Sequence, residues 1–113
     1  MYGMDAPSLD VHTEPDGTVI IRPLGRIEAA DAVRLQQVLV HTVRKVRPPR
    51  LVLDFGAVSR LDPINAGTVS AACGLGDDHQ VAVFVHNPSS RIAEQLAAAG
   101  VPPHRLRRTT AVA

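Results

Sequence analysis

The sequence predicts an α/β domain built on a mixed β-sheet of about five strands with three or more helices, in the order β-β-α-β-α-β-α-β. Three observations carry this. Leu51 to Phe55 and Val81 to Val85 are short, nearly continuous apolar runs, the pattern of strands covered on both faces. Segments of helical period separate them, so the intervening connections are long enough to make the pairing parallel. Leu9, Val11 and Thr13 alternate with Asp10, His12 and Glu14, and Pro15-Asp16-Gly17 then turns the chain into Thr18 to Ile21, which reads as a hairpin.

Pro23 and Gly25 end the second strand. From Ala29 to Val46, residues Ala32, Leu35, Leu39, Val43 and Val46 form one apolar stripe, and Pro48-Pro49 stops that helix. After the Leu51–Phe55 strand and a short loop, Asp62-Pro63 supplies a helix cap followed by proline at the first helical position. This second helix is rich in small residues and is expected to end near Leu75, with Gly74 and Gly76 as its stop. Pro88-Ser89-Ser90 opens a third helix, with Ile92, Leu96 and Ala99 on one face and Gly100 as its cap. Pro102-Pro103 follows, and a last short strand is expected around Leu106 to Thr109.

With 113 residues the chain holds one core, and residues 9–110 are read as a single domain behind a flexible stretch at 1–8. Aromatics are limited to Tyr2, Phe55 and Phe84, so Val, Leu, Ile and Ala must fill the core. A net charge of +1 argues against nucleic acid or an anionic membrane as the main partner. Arg105, Arg107 and Arg108 are read as a solvated strand end. The single cysteine, Cys73, excludes an internal disulfide and reads as a buried small hydrophobe. No secretory leader pattern and no membrane-spanning apolar run is visible, so a cytoplasmic protein is expected. The five histidines are scattered over different elements, and Asp77-Asp78-His79 is too local to hold a metal, so neither metal nor cofactor is expected. No Gly-rich phosphate loop, nucleophile elbow or nucleophile–base pair is legible, and an enzyme is not expected.

Three local patterns, in this order, give the chain a family resemblance: Gly25-Arg26-Ile27-Glu28, then Leu51–Phe55 with Val58-Ser59-Arg60-Leu61-Asp62, then Ile92-Ala93-Glu94-Gln95-Leu96 with Ala99-Gly100-Val101. Together they resemble the STAS domain, the fold of bacterial anti-sigma factor antagonists, over roughly Leu9 to Thr109. The resemblance implies a regulatory module that binds an anti-sigma factor of serine-kinase type and so controls sigma-factor-dependent transcription. In its phosphorylatable members the Asp is followed by a triplet whose second residue accepts the phosphate. Here the triplet is Pro63-Ile64-Asn65, so Ile64 stands at the acceptor position and carries no oxygen. The usual switch is therefore expected to be missing, although the helix N-terminus would still favour an anion.

Ser59, Thr68 and Ser70 are the neighbouring hydroxyls, and none is expected to be a regulatory site. Thr68 and Ser70 lie in the helix, where a hydroxyl bonds back to a carbonyl one turn earlier, whereas Ser59 is placed in a loop. The implied partner surface is Glu28, Ser59, Arg60, Asp62, Pro63, Ile64 and Asn65. Asp62 also reads simply as a helix cap, and Ile64 equally as the first core residue of its helix. The alternative function is a sensor of a nucleotide or a small apolar ligand, for which no phosphate loop or stacking platform is visible. Homodimerisation stays open.

Overall fold

A computed structural model of the protein describes residues 9–108. Their elements are β1 (Leu9–Thr13), β2 (Val19–Pro23), β3 (Gly25–Ile27), α1 (Ala32–His41), β4 (Arg50–Asp54), β5 (Val58–Leu61), α2 (Pro63–Asp78), β6 (Ala82–His86), α3 (Ser90–Ala98) and β7 (Leu106–Arg107). The expected flexible stretch at 1–8 and the end of the last strand at Thr109 lie outside the described residues. The main sheet runs β1-β2-β4-β6-β7, with β1 antiparallel to β2 and the remaining pairs parallel. This is the mixed five-stranded α/β architecture that the pattern of runs and helices predicts.

Residues of one parity, Val19, Ile21, Leu51, Leu53, Val83 and Val85, point into a core closed by Leu35, Leu39, Val69, Cys73, Ile92 and Leu96 from the three helices. The opposite parity places Ile20, Val52 and Phe84 side by side in the ladder. The guanidinium carbons of Arg50, Arg105 and Arg107 stand 5.7, 5.2 and 4.6 Å from the Phe84 ring centroid, a cation–π arrangement that covers the ring. The C-terminal arginines are thus more than a solvated strand end. Arg105 also pairs with Asp77 at 2.6 Å, and Arg108 donates to Ser90 Oγ at 3.1 Å.

Two short strands were not foreseen. β3 and β5 pair in parallel as a separate ribbon, so Ser59 and Arg60 belong to a strand and not to a loop. Their hydrogen bonds, invisible in so short a pattern, decide the difference. The first helix is also less regular than its stripe implies. A 3-10 turn at Ala29–Asp31 precedes α1, and a π-helical turn at Thr42–Val46 follows it, closed by Arg47 N–H to Thr42 O at 2.9 Å. The wider turn shifts the phase of the stripe. Thr42 and Val43 face inward, while Val46 is exposed.

α2 continues through Gly74 and Gly76 to Asp78 instead of stopping there. A Cβ on Gly76 would stand 2.5 Å from Val81 O and 2.6 Å from Val83 Cγ2. This glycine therefore lets the helix approach β6 and does not end it. At the end of α3, by contrast, Gly100 takes φ +107°. Gly100 N–H reaches Ala97 O at 3.1 Å and Val101 N–H reaches Leu96 O at 3.0 Å, a Schellman closure with Ala99 as the formal cap residue.

Gly76→Ala is expected to destabilise the fold by about 2–3 kcal/mol through overpacking. Gly67→Ala and Gly74→Ala, where an added Cβ meets nothing within 4 Å, should each stabilise by about 0.5–1 kcal/mol. Urea unfolding of the three variants checks this contrast in sign. A second expectation concerns Asp54. Burial is the largest influence on its carboxyl and would raise its pKa. The Gly56 N–H at 2.9 Å, the Arg22 guanidinium at 3.2 Å and the Asn87 side chain together outweigh it and hold the pKa below its ordinary 3.8. Because the folded value is the lower one, this group stabilises the fold above the ordinary carboxylate range and ceases to as pH falls through the depressed value. Asp54→Asn should lower stability at pH 7 and flatten its decline on acidification, measured by thermal melts across pH.

Candidate docking surface

The surface forms where the β3–β5 ribbon meets the first turn of α2. Asp62, between β5 and α2, joins them through three hydrogen bonds. Its N–H donates to Ile27 O at 2.9 Å, its carbonyl accepts from Asn65 N–H at 2.8 Å, and its carboxylate accepts from Ile64 N–H at 3.0 Å. The cap reading of Asp62 therefore holds, and such a cap contributes about 1 kcal/mol. It also alters the expectation that this helix end would attract an anion. The carboxylate already accepts from the Ile64 N–H at the first turn and would repel a second negative charge placed there.

Ile64 is 55% exposed, so the reading that made it the first core residue is overturned. The inward face of α2 is instead formed by Asn65, Ala66, Val69, Ala72, Cys73 and Gly76. Ile64 opens onto a shallow groove between α1 and α2, also lined by Gln36, Val40, Gly67, Thr68 and Leu75. Asn65 behaves in the opposite way from a surface residue. It is fully buried, its Nδ2 donates to Glu28 O at 2.8 Å, and its Oδ1 has no partner. Its role is to hold the Glu28 turn onto α2. Its side chain is not available for contact.

The remaining members of the expected surface come together. Glu28, Ser59, Arg60, Asp62 and Pro63 line one groove of about 710 Å³, completed by Arg26, Ser89, Arg91 and Gln95. Gln95 fixes the far wall by donating from Nε2 to Leu61 O at 2.9 Å, and Ser89 caps α3 by accepting from Ile92 N–H at 3.2 Å. Glu28 lies 3.6 Å from Arg26 Nε, a loose and exposed ion pair. The polar residues that sequence reasoning missed are Arg26, Ser89, Arg91 and Gln95. Arg26 stands inside the Gly25–Glu28 pattern, and the serine and Arg91 flank the third helix start, so a joint reading of those two signals could have found these three.

Of the hydroxyls, Thr68 donates back to Ile64 O at 3.2 Å, as expected inside a helix, whereas Ser59 is exposed on β5. Cys73 is buried against the core, and burial pushes its thiol up to about 11, as fits a small hydrophobe and not a nucleophile. Among the described residues no group of His, Cys, Asp or Glu converges in a way that could hold a metal ion, and no helix is long and apolar enough to cross a membrane.

Residues 11–111 match the family model of the STAS domain. No curated protein matches the sequence. Among solved structures, the chain is similar to the anti-sigma factor antagonist SpoIIAA in its unphosphorylated form, at 15% identity and a TM-score of 0.78, covering 92% of this chain and 90% of that one. It is also similar to an anti-sigma factor antagonist from Mycobacterium paratuberculosis, at 24% identity and a TM-score of 0.69, covering 98% and 92%. A third likeness, at 19% identity and a TM-score of 0.62, is to the STAS domain of a SulP transporter from Vibrio cholerae, covering 84% and 76%. At such identities the likeness speaks for the fold, which antagonists and transporter domains share. With its family-model match extending from Val11 to Ala111 and its sheet and helices arranged as in these structures, the chain belongs to the STAS domain family.

Proposed function

We propose that the chain is a regulatory protein-binding module of the anti-sigma factor antagonist type, acting in the cytoplasm and binding an anti-sigma factor of the kinase type without a phosphoserine switch. The observation that carries the reading is Ile64. An isoleucine that is 55% exposed in the first turn of α2 contributes little to this fold, and its side chain has no oxygen to phosphorylate. Beside it, Asp62 fixes the helix start, and on the other side of that turn Glu28, Ser59 and Arg60 supply polar groups along a neighbouring groove. An apolar anchor flanked by polar groups is the usual anatomy of a protein contact.

The physics of the missing switch follows from the same residue. A phosphate placed in an apolar contact would carry roughly two negative charges into an interface with nothing to pair them, which costs several kcal/mol. Isoleucine removes that means of dissociation, so binding is constitutive or is governed elsewhere. A nucleotide-sensing reading has less support, because no aromatic side chain lines either groove to stack a base.

The test is a binding measurement against kinase-type anti-sigma factors encoded in the same genome, with ATP present. Association should persist after incubation, mass spectrometry should find no added phosphate, and Ile64→Asp should weaken binding at least ten-fold, about 1.4 kcal/mol. Stoichiometric phosphate on Ser59, Thr68 or Ser70, with release of the partner, would overturn the unswitched reading. Unchanged affinity in Ile64→Asp would remove Ile64 from the contact.

A further inference from the structure

We infer that the groove between the β3–β5 ribbon and the start of α3 is a binding site for a phosphate monoester, held by Arg26, Arg60 and Arg91. Three placements there are electrostatically unfavourable for the fold alone. Arg26 and Arg60 are direct partners in the parallel β3–β5 ladder, so two guanidinium side chains leave adjacent strands at the same level. Like charges set opposite each other in this way are destabilising. Arg91 is the second residue of α3, in a first turn without an acidic residue, where the helix dipole disfavours a cation.

Local compensation is partial, because the carboxylates of Glu28 and Asp62 line the groove with the three arginines and leave it with a positive excess. The Glu28 carboxylate lies 3.6 Å from Arg26 Nε, and Arg60 and Arg91 form no ion pair among the described residues. Asp62 also borders the groove, but its carboxylate is turned onto the Ile64 N–H. Scattered exposed arginines would need no explanation. These three line one groove of about 710 Å³, together with the hydroxyls of Ser59 and Ser89. A bound dianion would relieve all three unfavourable placements at once.

The ligand class follows from the lining. Guanidinium forks match the oxygens of a phosphate group in pairs, and α3 adds the positive end of its dipole. The groove is far larger than a phosphate alone, which leaves room for the organic group that carries it; Ile27, Leu61 and Ile92 lie beneath its floor and are almost fully buried. With no aromatic side chain in the lining, that group is aliphatic, such as a phosphorylated serine side chain, and not a nucleobase. The site overlaps the docking surface, since Glu28, Ser59, Arg60, Asp62 and Pro63 line the same groove, but it does not require an anti-sigma factor as partner. Either reading can fail while the other stands.

The test is an NMR titration of the ¹⁵N-labelled chain with O-phosphoserine, inorganic phosphate and, as control, serine. Saturating shifts are expected at the amides of Arg26, Arg60 and Ser89 to Ile92 with the two phosphates and none with serine. Tighter binding of O-phosphoserine would identify a carried monoester, and equal binding a site for the free anion. Arg60→Gln and Arg91→Gln should each weaken binding at least ten-fold while melting, without ligand, at or above the temperature of the parent chain. Absence of saturating shifts with either phosphate overturns the inference, as does unchanged binding in the doubly substituted chain. A variant melting well below the parent would show that the fold itself uses these arginines, which contradicts the argument.

Discussion

The structure depends on the three hydrogen bonds of Asp62. Its N–H ends the β3–β5 ribbon on Ile27 O, and its carbonyl and carboxylate begin α2 through Asn65 and Ile64. One residue thereby sets where the ribbon stops and at what angle the helix leaves it. Pro63 adds a fixed φ and has no N–H to satisfy, so the helix start needs little further ordering. Asn65 then secures the opposite side by donating to Glu28 O. Everything exposed at this corner, from Ile64 to Arg60, is positioned by groups that are themselves committed to the backbone.

That arrangement separates two surfaces that the sequence places together. Ile64 looks toward the uncharged face of α2, where Gly67, Ala71 and Gly74 are also exposed. Arg60 and Arg26 look the other way, across the ribbon toward α3. The apolar side suits contact with another protein, and the charged side suits an anion. A phosphoserine in the α2 turn would have linked the two by putting a dianion between them. With isoleucine in that turn, no phosphate of this chain joins the two surfaces, which still meet at Asp62 and Pro63.

Much of the fold was legible because its determinants are local. Asp62-Pro63, Ser89 and Gly100 each act within a few residues, and β4 and β6 announce themselves as apolar runs. The parts that were not legible have distant causes. β3 and β5 are three and four residues long, too short for an alternating pattern to be read, and exist because they pair with each other. Gly76 looks like a helix stop in sequence, but its reason is the Val81 carbonyl against which it packs. Asn65 looks like a surface residue and is buried because the Glu28 turn folds over it. At the candidate site, Glu28, Ser59, Arg60, Asp62 and Pro63, which the sequence pointed to, come together in one groove. Sequence reasoning missed Arg26 and Arg91 because only the ribbon and the third helix, brought together in space, make them neighbours.

The central claim is that the exposed first turn of α2, anchored by Ile64, is the docking surface of this STAS domain. Its most direct measurement is backbone-amide mapping by NMR of the ¹⁵N-labelled chain in complex with a kinase-type anti-sigma factor. The account predicts that signals of Glu28 and of residues 59 to 68 shift or broaden on binding, while those of β1 and of the Phe84 face of the sheet do not. Perturbations centred on Phe84, Arg50 and Arg107, with the α2 turn unchanged, would contradict it.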